Sequence, residues 1–81
     1  MFDMEMAKIA RDNAREAEKN TNYAKEVCDF LIAEADLAFK NNDPNFEKKV
    51  EIAKKAGEMF TYANADLTLK VSKLGEIVKL L

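Results

Sequence analysis

Histidine and tryptophan are absent from this 81-residue sequence, cysteine and proline occur once each, and glycine occurs twice. Each shortage excludes something. Without histidine there is no histidine-activated nucleophile, no Glu-x-x-His iron site and no Cys/His zinc site. A single cysteine, Cys28, makes no internal disulfide; it fits a reducing compartment and the behaviour of a small buried hydrophobe. An all-β chain needs a turn every ten or so residues, so glycine and proline this scarce argue for long helices. The net charge is -2 and the pI near 5.1, which supplies no basic field for nucleic acid. Apolar runs are short, and Asp3 and Glu5 stand where a secretory signal would be basic. No membrane segment is expected, and the expected location is cytoplasmic.

What remains is a chain with 48% hydrophobic and 35% charged residues, enough for one helical domain over 1–81. The first forty residues carry six basic and nine acidic groups and the rest seven and six, a mild asymmetry that suits pairing within the fold. The one strong break is Lys40-Asn41-Asn42-Asp43-Pro44-Asn45. Asn41 or Asn42 can end a helix in the left-handed conformation, Asp43 can cap the next helix, and Pro44 suits its first position.

Each flanking segment carries an unbroken 3-4 spacing. The first row is Ala7, Ala10, Ala14, Ala17, Thr21, Ala24, Cys28, Leu31, Ala35 and Ala38. The second is Phe46, Val50, Ala53, Gly57, Phe60, Asn64, Leu67, Val71, Leu74, Val78 and Leu81. Sustained heptads of this kind predict helices that wind around each other. The expected fold is therefore all-α: a long antiparallel hairpin with helices over about 3–41 and 44–80, two such hairpins pairing into a four-helix bundle. A three-helix bundle, broken at Asn20-Thr21-Asn22, is the alternative.

Folding at 41–45 sets small residues against large ones. Leu31 would meet Gly57, Cys28 would meet Phe60, Ala17 would meet Val71 and Ala14 would meet Leu74. On this reading Gly57 is the small residue that makes room for Leu31. Asn64, in the large row, would fix register or oligomeric state, or else mark a solvated fray in the bundle. Asp3 and Glu5 would lie near Lys79.

Large hydrophobes lie beside the small-residue row as well: Phe2, Met6, Ile9, Tyr23, Val27, Phe30 and Leu37 on the first arm, and Ile52, Met59, Ile77 and Leu80 on the second. Each arc is too wide for one partner helix, so these residues form the expected interface, with a second copy or with another helical protein. Tyr62, Ala65 and Leu69 make a shorter strip elsewhere on the second helix.

Little here suggests chemistry. Asn41, Asp43 and Asn45 have calcium-loop spacing, but Phe46 stands at the sixth place and Ile52 at the twelfth, where Gly and Glu are needed. Glu34, among Val27, Phe30 and Leu37, reads as a rim carboxylate reaching water. Glu51 and Lys55 are spaced for an i,i+4 ion pair. Lys48, Lys49, Lys54 and Lys55 are interleaved with Glu47, Glu51 and Glu58. They read as a solvated face, or alternatively as the phosphate-binding patch of a small nucleic-acid regulator. No cofactor, no metal and no catalytic activity are expected.

Asn42-Asp43-Pro44 and Tyr62-Ala63-Asn64-Ala65, followed by Lys70 and Lys73, resemble the needle subunits of type III secretion systems. The match involves shifts in spacing, and the alanine-rich first arm departs from that pattern. The resemblance implies a hairpin with an Asp-Pro turn that works as a filament subunit. In architecture alone the layout is also similar to small plasmid RNA-binding hairpin dimers. The residues themselves point to a non-enzymatic helical assembly module acting through an apolar helix face.

Overall fold

The computed structural model describes residues 4–80. Two helices make up the fold: α1, Met4–Lys40, and α2, Phe46–Lys79. They lie antiparallel as a hairpin measuring 62 × 13 × 13 Å. One chain thus supplies two helices, and any bundle of four needs more than one chain. α1 does not break at Asn20-Thr21-Asn22, which rules out three helices within the chain. Thr21 turns inward there. Its hydroxyl donates to the Ala17 carbonyl at 2.8 Å and also lies 3.0 Å from the Ala63 carbonyl of α2. A polar residue of modest helix propensity is thereby tied into the seam instead of ending the helix. Phe2, Asp3 and Leu81 lie outside the described residues, as does the expected approach of Asp3 to Lys79.

The loop follows from its asparagines and Asp43. Asn42 adopts a φ of 53°, in the left-handed region. The Asp43 amide donates to the Ala38 carbonyl at 2.9 Å and the Asn42 amide to the Phe39 carbonyl at 3.3 Å. These two bonds form a Schellman motif, which satisfies carbonyls that the end of α1 would otherwise orphan. Asp43 then accepts the Asn45 amide on its Oδ1 at 2.8 Å. That caps a turn through Pro44 and Asn45, so α2 begins at Phe46, slightly later than expected. Phe39 and Phe46 close over the turn with ring centroids 5.3 Å apart.

The α1 row is as expected. Ala10, Ala14, Ala17, Thr21, Cys28, Ala35 and Ala38 are buried, and Ala7, Ala24 and Leu31 are half-buried. The α2 row differs beyond Phe60. Ala56 and Ile77 are its buried residues, and Ala63, Leu67, Lys70 and Leu74 are half-buried, whereas Asn64, Val71 and Val78 face solvent. Asn64 is therefore not a seam residue. Ile77 is buried in the seam and also borders the flanking face where the sequence placed it.

The register differs by about one turn. Thr21 faces Ala63, where the expected pairing would have put Leu67 opposite it. On the observed register Cys28 lies level with Ala56, Leu31 with Ala53, Ala24 with Phe60, Ala17 with Leu67 and Ala10 with Leu74. Small still meets large in most layers, but with different partners. The physical reason is close approach. A seam through Ala56 and Ala63 lets the two backbones come near enough for the Thr21 hydroxyl to reach across. Lys70 is half-buried at its seam position and keeps its ammonium 3.4 Å from the Asp66 carboxylate one turn away.

Gly57 has no packing role. A Cβ there meets nothing within 4 Å, and its φ is not positive. Gly57→Ala should therefore stabilise the fold by about 0.5–1 kcal/mol, the helical cost of glycine relative to alanine. Ala14→Leu should instead overpack the seam and cost about 1–3 kcal/mol. Urea denaturation of the two variants checks both signs, and a Gly57→Ala protein weaker than wild type would contradict the open space beside Gly57. Thr21→Val conserves volume and removes the inter-helix contact. It should cost about 0.5–1.5 kcal/mol, and an unchanged urea midpoint would show that the hydroxyl does not contribute.

Candidate functional site

The seam holds mostly methyl groups. The buried apolar residues are Ala10, Ala14, Ala17, Ala35, Ala38 and Ala56 with Cys28 and Ile77, and no large side chain among the described residues is fully buried. The large hydrophobes have gone outside. Tyr23 is 71% exposed, Met59 69% and Phe30 64%, and Met6, Ile9, Leu37 and Ile52 are all more than half exposed. Of the described residues expected at an interface, Val27 is half-buried at its edge and Ile77 is buried in the seam beside the open-end groove; the others are exposed.

These residues share one side of the hairpin. On α1 a second 3-4 row runs beside the alanines through Met6, Ile9, Asn13, Glu16, Asn20, Tyr23, Val27, Phe30, Glu34 and Leu37. It meets α2 in two apolar grooves. The first, nearer the loop, is lined by Tyr23, Val27 and Leu31 from α1 and by Ile52, Ala56 and Met59 from α2, with Asn20 and Lys55 also in its wall. Phe30, Glu34 and Lys49 extend it toward the loop. The second, near the open end, is lined by Met6, Ile9 and Ile77 with Asn13, Lys70 and Lys73. Between them the row is polar. The face therefore reads apolar, polar, apolar along its length.

The opposite side carries two hydrophobes that sequence reasoning passed over, Ile32 and Phe39, and two that it placed in the seam, Val71 and Val78. Ile32 and Phe39 follow the seam residues Leu31 and Ala38 by one position, and both are exposed, as are Val71 and Val78. Their spacing of seven was the available signal. Phe39 is already engaged with Phe46. Tyr62 and Leu69 are exposed on the outer surface of α2, as the sequence suggested.

The polar groups near the loop form one network. Lys49 Nζ lies 3.3 Å from Asp43 Oδ2 and 4.0 Å from Glu34 Oε2. Glu34 is half-exposed at the rim of the apolar face and reaches water. Both Asp43 oxygens are occupied by protein donors, and no group of three or more potential metal ligands occurs among the described residues. Lys49 is committed to carboxylates, which leaves Lys48, Lys54 and Lys55 as the exposed part of the basic cluster. Glu51 and Lys55 do not form their expected pair; the i,i+4 pairs that do form are Asp36–Lys40 and Asp66–Lys70. Cys28 is free and buried in the seam. No described helix is long and apolar enough to cross a membrane.

Compared with protein-family models, curated proteins and solved structures, the chain matches none of them.

The Asn45 amide, and after it the Lys49 ammonium, hold the Asp43 carboxyl below its ordinary value of 3.8. A depressed carboxylate contributes stability that is present above that ordinary value and lost as pH falls through the folded one. The Asp43 contribution should therefore be present above 3.8 and should fall away only below it, as pH drops through the depressed folded value. Asp43→Asn should be less stable than wild type at pH 5, with the difference shrinking by pH 2.5. Urea midpoints at the two pH values check this, and an equal gap at both would show that the charge plays no part.

Proposed function

We propose that this chain is a non-enzymatic assembly module, a helical hairpin that associates with itself or with another helical protein through the face centred on Tyr23, Val27, Phe30, Ile52 and Met59. One observation carries the reading: the usual burial pattern is inverted, with methyl groups inside and aromatic and thioether side chains outside. The hairpin exposes 6524 Å² of surface, whereas a compact globular chain of this mass exposes about 4,900 Å². Its radius of gyration is 18.1 Å, against about 12 Å for a compact domain of this length.

Magnitudes support association over a free hairpin. Burying an alanine methyl contributes about 0.8 kcal/mol, and fully burying a Phe or Met about 1.5–3 kcal/mol. Most of the available hydrophobic stabilisation is therefore gained only when the outer face is covered. Pairing two hairpins into a four-helix bundle is the simplest cover. The basic cluster offers less, because carboxylates neutralise Lys49 and acidic residues separate the other lysines.

Sedimentation tests the reading. At micromolar concentration the chain should sediment as a multiple of 9.2 kDa, with a melting temperature that rises with concentration. Phe30→Glu should move it toward single-chain mass and lower the melting temperature, since the seam alone then holds the hairpin. An assembly indifferent to both Phe30→Glu and Met59→Glu would sink the proposal. So would a single chain with sharp, concentration-independent melting, because such a hairpin needs no cover.

A further inference from the structure

We draw no further inference here: the strongest candidate, the apolar face beside the alanine seam with its grooves around Val27, Phe30 and Ile52 and around Met6, Ile9 and Ile77, carries nothing beyond the association already proposed, because nothing in the structure shows what covers it.

Discussion

Close approach of two long helices along a row of alanines is the constraint on which the rest of this structure depends. A methyl group every three or four residues lets the α2 backbone come within reach of the Thr21 hydroxyl. That contact marks one register among those that a repeating seam would otherwise allow. An alanine row by itself is a poor ruler, because sliding it by a turn changes little. The Thr21 hydroxyl narrows the choice only modestly, because its proton is already accepted by the Ala17 carbonyl of its own helix whatever the register.

The loop adds a second fixed point. The Schellman bonds, the left-handed Asn42 and the Asp43 cap define where α1 ends and α2 begins. Phe39 against Phe46 sets their lateral spacing. Lys49 bridges Asp43 to Glu34, so the loop also grips the first turn of α2 and the rim of the apolar face. Turn chemistry and the Thr21 contact agree on one register. Such agreement between local and long-range preferences is what lets a sequence with little core specify one structure.

Much of this was legible in the sequence, and the parts that were not have a common cause. The α1 row was readable because alanines at 3-4 spacing have no close competitor on that helix. The break at 41–45 was readable because asparagine, aspartate and proline each have a defined backbone preference there. On α2 two adjacent rows compete. One runs through Val50, Gly57, Asn64, Val71 and Val78, the other through Lys49, Ala56, Ala63, Lys70 and Ile77. Hydrophobicity favours the first, and that preference put Asn64 in the row expected at the seam and left Ile77 out of it. Close approach favours the second, because Ala56 and Ala63 stand where the backbones come nearest. The size of the partner row was the deciding information, and it was already present in α1. The outer face was legible in nearly all its residues because its large side chains flank the alanines on one side. Ile32 and Phe39 were not, because they lie on the other.

The same feature that makes the hairpin determines what its surface must be. A seam of methyl groups brings the helix axes together, and at that spacing no room is left between them for Phe30, Met59 or Tyr23. Those side chains are displaced to the groove edges, where they gather into apolar zones along one face instead of scattered contacts. The displacement is a geometric consequence of the seam and does not depend on what covers the face. Replacing alanines by leucines would push the helices apart and fill the space between them, but it would also break the Thr21 contact and with it the register. Fold and surface are therefore coupled through one dimension, the distance between two helices. The zones that alternate along the face keep their order only while that distance, and the register it permits, are held.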